Sequence, residues 1–281
     1  MDLSRCATID IMLIRICLAL SLAAGAAAGW LRVADNQLTP EEKHAGWILL
    51  FDGHSFANWE DPSVKSPPGD SFTIEDGCLK ATAHPKYTED LFSARTWGDF
   101  DLQWDWKIAP RGNSGLKYRI QDRIWLTGQR APRFEEMVNA ALRNRPANRP
   151  ERGQEYVIGF EYQMTDDDAN SDAIHNGPLH RTAALYDIFP AVDTAPRPVG
   201  EFNHSELVVR GKHIEHWLNG RKVLDVRLDA PEIAQGMAKR WGQGSPVYAL
   251  LVNQPRTLCP ISLQNHGDNA WFKNIKIKPL D

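Results

Sequence analysis

The feature that most constrains the fold is a strict two-residue alternation. In Asp101–Ile108, "DLQWDWKI", Leu102, Trp104, Trp106 and Ile108 fall on one face, and Asp101, Gln103, Asp105 and Lys107 on the other. Successive strand side chains point to opposite faces, so this stretch is a strand with one face buried and one wet. Leu116, Tyr118 and Ile120 in "GLKYRI" continue the habit. "ELVVRGKHIEHWLNGRKVLDVRL" holds further strand runs, parted by Arg210-Gly211-Lys212 and by Asn219-Gly220. Asn and Gly both tolerate the positive φ of a tight hairpin turn. Many short strands joined by tight turns predict an all-β antiparallel sandwich or barrel.

Two stretches break the alternation. "PRFEEMVNAALRNR" (Pro132–Arg145) repeats Phe134, Val138 and Leu142 every fourth residue, and "PEIAQGMAKRW" does the same with Ile233, Met237 and Trp241. Each opens on proline, which suits a first helical position, so both predict short helices inserted between strands. The first lies in an arginine-rich segment from Arg123 to Arg152. No repeat or Pro/Gly-rich linker divides residues 47–281, which predicts one domain. A formal net charge of -4 gives no reason to expect a nucleic-acid partner. Ten tryptophans offer flat surfaces that suit either a core or a sugar ring.

The amino terminus has a basic start (Arg5, Arg15), the apolar run "ICLALSLAAGAAAG" and small residues Ala26 and Ala28 in an A-x-A arrangement. That pattern predicts a signal peptide over residues 1–28, a lead-in over 29–44, and an exported, periplasmic or secreted protein. An uncleaved anchor is the alternative, and no other membrane association is expected. Removal of the segment leaves Cys78 and Cys259, which an exported protein either pairs or keeps as buried thiols.

The chemistry-bearing run is "YVIGFEYQMTDDDAN". As a strand it puts Phe160, Tyr162 and Met164 inward, with Glu161 and Gln163 on the opposite face. A carboxylate among apolar strand residues loses hydration, so its pKa rises and it can serve as a base near neutral pH, or it can be a structural ion-pair partner. Asp166, Asp167 and Asp168 repel one another unless solvated or bound to a cation. Calcium is the candidate ion, although the EF-hand spacing is absent. Asn113 and Tyr186 stand beside turns. His216 stands mid-strand, and Gln264, His266 and Asp268 crowd one turn before the last strand. No G-x-S-x-G, H-E-x-x-H or phosphate-binding glycine pattern occurs. The E-x-D-x-x-E-like carboxylate run of jelly-roll glucanases is also missing, because Tyr, Gln and Met follow Glu161.

Seven stretches in order, "GWILLFDGHSFANWE", "FTIEDGCLKA", "LFSARTWGDFDLQWDWKIAPRGNSGLKYRI", "FEYQMTDDD", "ALYDIFPA", "FNHSELVVRGKHIEHWLNGRKVL" and "ISLQNHGDNAWFKNIKIKPL", resemble the bacterial 3-keto-disaccharide hydrolase domain family. The resemblance spans residues 45–280. It implies a concanavalin A-like or laminin G-like jelly-roll sandwich, export, and action on oxidised glycosides. It maps the family's EYQ onto Glu161, Tyr162 and Gln163, and its acidic loop onto Asp167 and Asp168. Its LYD falls on Tyr186 and Asp187, its EHW on Glu215, His216 and Trp217, and its QxHGD on Gln264, His266, Gly267 and Asp268. Asn265 departs from the common Asp in that turn, and the arginine-rich insertion is longer than the family pattern. The resemblance implies a base, either Glu161 or His266, that removes the C2 proton of a 3-keto sugar. Gln163, Asn113 or a divalent metal ion would steady the enolate, with Tyr186, His216, Gln264 and Asp268 around the saccharide. A non-catalytic carbohydrate-binding module and a conventional endoglucanase stand as alternatives.

Overall fold

The computed structural model describes residues 34–62, 64–127 and 153–280. The helix expected at Pro132–Arg145 and the amino-terminal segment lie outside them. The described residues form fourteen strands. The first six are β1 (Ile48–Leu49), β2 (Trp59–Glu60), β3 (Phe72–Glu75), β4 (Cys78–Ala81), β5 (Tyr87–Thr88) and β6 (Leu91–Ser93). The long central ones are β7 (Phe100–Ile108), β8 (Asn113–Thr127) and β9 (Gly153–Thr165). The last are β10 (Asn203–Arg210), β11 (His213–Leu218), β12 (Arg221–Arg227), β13 (Ser262–Leu263) and β14 (Ala270–Pro279).

These strands form two facing sheets, an antiparallel β-sandwich of jelly-roll type. One sheet has the order β12-β11-β10-β7-β14-β4-β3, with β1 paired to β14. The other has the order β2-β6-β13-β8-β9-β5, and among the described residues the β5–β9 pair alone is parallel. β7 alternates buried and half-buried along its whole length, as the sequence pattern requires. Trp104, Trp106, Leu102 and Ile108 from this strand meet Tyr118, Phe160, Tyr162 and Met164 of the opposing sheet in one continuous core. The turn at Asn219-Gly220 has φ of 50° and 82°, and Leu218 pairs directly with Arg221, so the two-residue hairpin forms there. The helix Pro231–Trp241 buries Ile233, Met237 and Trp241.

Two details differ from simple pattern reading. Ile120 does not share a core with Leu116 and Tyr118. Arg119 adopts φ 50°, the β8–β9 register shifts between Tyr118 and Asp122, and Ile120 packs instead with Phe92 and Val157. A bulge of this kind turns the following residues to the other face. Cys78 and Cys259 are both buried, unpaired thiols, with burial pushing each thiol's pKa up.

Candidate active site

The face of β8 and β9 turned away from the core supplies the floor of a polar pocket. In register, Lys117 lies opposite Glu161 and Gly115 opposite Gln163, so these side-chain positions share that outer face. Asp90, Asn113, Lys117, Glu161, Gln163, Tyr186, Arg240, Gln264 and His266 line a pocket with Glu155, Tyr156 and Asn265. Several of these residues come from the β5–β6 turn, the Tyr186 loop, the helix Pro231–Trp241 and the turn before β14.

Gly115 makes room for the acid. A Cβ there would stand 2.5 Å from Glu161 Oε1 and 2.9 Å from its Cδ. The Lys117 ammonium is buried, 4.0 Å from Glu161 Oε2 and 3.5 Å from Asp90 Oδ2. Both separations exceed the ~2.8 Å of a closed charge-assisted hydrogen bond, so a substrate oxygen has space to take one of its N–H groups. Burial pushes the Glu161 pKa up, and the Lys117 and Arg240 cations work against that rise. The buried Asp90 carboxyl is likewise raised by burial, against Lys117 and a 3.0 Å hydrogen bond from Ser262 Oγ. Lys117 itself is held in its charged form by Asp90 and Glu161 in spite of burial.

Behind the floor, Arg123 bridges Glu155 at 2.6 Å and Asp61 at 3.3 Å. Glu155 Oε2 then accepts the Asp90 N–H at 3.0 Å, which anchors the turn that presents Asp90. Burial pushes Glu155 up to about 8, with Arg123 opposing. On the far wall, Arg240 donates to Asp187 Oδ2 at 3.1 Å and to the Tyr156 hydroxyl at 2.9 Å. Gln264 is buried, its Oε1 has no hydrogen-bond partner among the described residues, and its Nε2 reaches 3.5 Å from Glu161 Oε2. A buried acceptor without a partner costs free energy unless a ligand satisfies it.

The expected residues divide clearly. Glu161, His266, Asn113, Gln163, Tyr186 and Gln264 converge on the pocket. His266 is an exposed rim residue. Protein crowded around the ring, and then Lys117, hold its pKa below the ordinary imidazole range. Asp268 is outside the lining, and its Oδ2 accepts the Asn113 N–H at 3.1 Å, which fixes the start of β8. His216 is a correction. It is wholly buried between the sheets, 2.8 Å from the Ala183 carbonyl and 3.1 Å from the Tyr118 hydroxyl. Burial pushes its pKa down to about 4. Its position on β11 points it at the core, so it cannot touch a saccharide in the pocket.

Asp167 and Asp168 do not come together as an ion's ligands. Asp167 Oδ1 accepts the Thr182 N–H at 2.7 Å, Asp168 is exposed, and Asp166 accepts the Arg111 N–H at 2.7 Å. Carboxylates engaged with backbone N–H groups in this way do not fit a divalent ion. Among the described residues, His213, Glu215 and Asp225 alone form a three-ligand cluster, on β11 and β12 of the other sheet. Lys222 already sits 2.5 Å from Asp225 and 3.4 Å from Glu215 there.

Sequence reasoning missed Lys117, Asp90 and Arg240. Lys117 was readable: it stands in "GLKYRI" between two core residues, on the face opposite them. Asp90 and Arg240 come from a turn and a helix, whose meeting with β9 no local pattern encodes.

Comparison with known proteins places this architecture. A curated 3-keto-disaccharide hydrolase of Bacteroides thetaiotaomicron is 30% identical over 256 residues, covering 84% of this chain and 79% of that protein. A Parabacteroides distasonis crystal structure described as a candidate glycosyl hydrolase superposes with a TM-score of 0.66 at 27% identity, covering 88% of this chain and all (100%) of that one. A second from the same organism, with the same description, has a TM-score of 0.55 at 22% identity, covers 83% of this chain and 99% of its own, and shares the fold. The model of the 3-keto-alpha-glucoside-1,2-lyase-like domain matches residues 46–278, and the chain belongs to that family.

Proposed function

We propose that the chain cleaves the glycosidic bond of 3-keto-glycosides by removing the C2 proton, expelling the C1 substituent and hydrating the product. The single observation carrying this reading is the pairing of Glu161 and Lys117, a base and a fixed cation 4.0 Å apart on one pocket floor. In a 3-keto sugar the acidic C2–H and the C3 oxygen are neighbours. Such a pair brackets both: Glu161 takes the proton, and the C2–H electrons move into the C2–C3 bond. The resulting C3 oxyanion faces the Lys117 ammonium, in a site where burial strengthens the attraction. Re-forming the C3 carbonyl shifts the double bond to C1–C2 and breaks the C1–O bond. The departing oxygen takes up a proton, which His266 at the rim is placed to relay from solvent. Water then adds across the new double bond, putting hydroxyl on C1 and hydrogen on C2.

Gln163, Asn113 and the unpartnered Gln264 Oε1 are the groups for sugar hydroxyls, with the Tyr186 ring as a wall. The relatives' named substrates support the choice of an oxidised disaccharide or glycoside. The conventional glycosidase reading finds less support. Lys117 stands between Asp90 and Glu161, where a retaining or inverting pair would need one free acid and one free base. Export is part of the proposal and rests on residues 1–28 alone.

The test is an NMR time course in heavy water with a 3-keto-glucoside and its unoxidised parent. Cleavage of the keto sugar alone, with deuterium entering C2, is the expected result. Cleavage of the parent at a similar rate would overturn it, and binding of either sugar without turnover would favour a carbohydrate-binding module.

A further inference from the structure

Beside Glu161, five side chains form a closed ring that the cleavage chemistry does not itself require. His180 Nδ1 lies 2.9 Å from Asp172 Oδ2, and His180 Nε2 lies 3.1 Å from Asp187 Oδ1. Asp172 Oδ2 also accepts the Tyr186 hydroxyl at 2.9 Å, while Asp187 Oδ2 accepts from Arg240 Nη1 at 3.1 Å. The Arg240 guanidinium stacks over the Tyr186 ring at 4.8 Å, and the His180 ring meets the same Tyr186 edge-on at 4.4 Å. His180 is thus the hub of the ring; its side chain reaches the pocket through Tyr186 and Arg240, while its backbone carbonyl accepts from Gln163 Nε2 at 3.4 Å.

Three observations argue that the ring is built for the site. Asp187 is a non-glycine residue at φ 61°, a left-handed conformation that surrounding structure must hold in place. The Tyr186 N–H donates to the Glu161 carbonyl at 3.1 Å, so this loop is docked on the residue that carries the acid. The Asp172 carboxyl is drawn below its ordinary range. Burial alone would raise it, and the hydrogen bonds from His180 and Tyr186 outweigh burial. An ionised Asp172 and the Arg240-paired Asp187 both only accept hydrogen bonds. The imidazole between them turns one ring nitrogen to each.

We propose that His180 is a positioning residue. Through its Nε2 arm it fixes Asp187 and hence Arg240, whose guanidinium shares the pocket lining with Glu161. The Nδ1 arm fixes Asp172 and hence Tyr186. This rests on the reading of Glu161 as the base. The two arms are separable, because an Asn amide nitrogen stands near the Nδ1 position and a Gln amide nitrogen near Nε2.

The experiment compares His180→Gln, His180→Asn, Arg240→Gln and the His180→Asn/Arg240→Gln double variant, all checked by circular dichroism and thermal melting. For the 3-keto-glucoside, His180→Asn is expected to lower kcat about tenfold or more with a small change in KM. It should also move the acidic limb of the pH–rate profile to higher pH, because Glu161 loses a neighbouring cation's support. His180→Gln is expected to retain kcat within about threefold, and the double variant to be no worse than Arg240→Gln alone. Equal losses in the Gln and Asn variants, or multiplying losses in the double variant, would overturn the proposal. A second readout does not depend on turnover. In nitrogen NMR, the Arg240 Nη signals, identified by their loss in Arg240→Gln, should be split in the wild type and in His180→Gln and averaged in His180→Asn. Splitting that persists in His180→Asn rejects the positioning role. Correct splitting without any turnover of the keto sugar rejects the base assignment and leaves the positioning role standing.

Discussion

The Glu161 carboxyl is under opposing influences: burial raises its pKa, and Lys117 and Arg240 lower it. Removing Lys117 therefore raises the pKa further. In Lys117→Met, the acidic limb of kcat/KM should move to higher pH, with kcat down by roughly a hundredfold, because the oxyanion also loses its cation. Glu161→Gln should cost about a hundredfold to ten-thousandfold in turnover while a bound keto sugar still shifts tryptophan fluorescence. A different residue governs stability. Asp101 is pushed up to about 7, first by burial and then by the charge of Glu206 beside it. A carboxyl raised in the folded state contributes fully below its unfolded pKa, and that contribution is lost as pH rises through about 7. Asp101→Asn should thus raise the melting midpoint by about 2–4 °C near pH 8 and leave it unchanged near pH 4, as read by differential scanning calorimetry.

At the scale of elements, the pairing of β8 with β9 makes the site, and Gly115 is its narrowest point. Gly115→Ala would drive a methyl group into the Glu161 carboxyl, which must swing away. The expected result is a loss of kcat of at least about tenfold, with a melting point within a few degrees of wild type, since the displaced group is a side-chain end rather than core. A melting point that falls as steeply as the activity would show that Gly115 serves the sheet instead. The alternation in "FEYQM" made Glu161 and Gln163 legible as one outward face, because strand geometry alone decides it. His216, by contrast, was misread. On β11 it alternates with Ile214 and Leu218, both buried, so the same rule puts it on the core face, sunk against Tyr118 and Tyr162.

The whole molecule shows where sequence legibility ends. Period-two runs and the Asn219-Gly220 turn announce the sandwich because they are local. The meeting of Arg240 with Glu161 depends on how the helix Pro231–Trp241 docks across the sheet, and its sequence signal, Ile233, Met237 and Trp241, describes the buried face only. The two thiols were likewise undecidable from spacing. They belong to β4 and to the Trp97–Cys259 bridge, and each is sealed without a partner cysteine. Residues 29–281 should therefore show no thiol reactivity when native and two equivalents in denaturant, with reductant leaving the melting curve unchanged. No free thiol in denaturant until reductant is added would mean a disulfide.

Lys117 and Glu161 face each other only in one alignment of β8 and β9. Sliding either strand by a single residue would send that strand's charge, Lys117 or Glu161, into the apolar layer and bring its Tyr118 or Tyr162 to the surface. Pairing errors during folding therefore yield dead molecules rather than slow ones. Specific activity after refolding would then count correctly aligned chains, much as a vernier reads whole divisions.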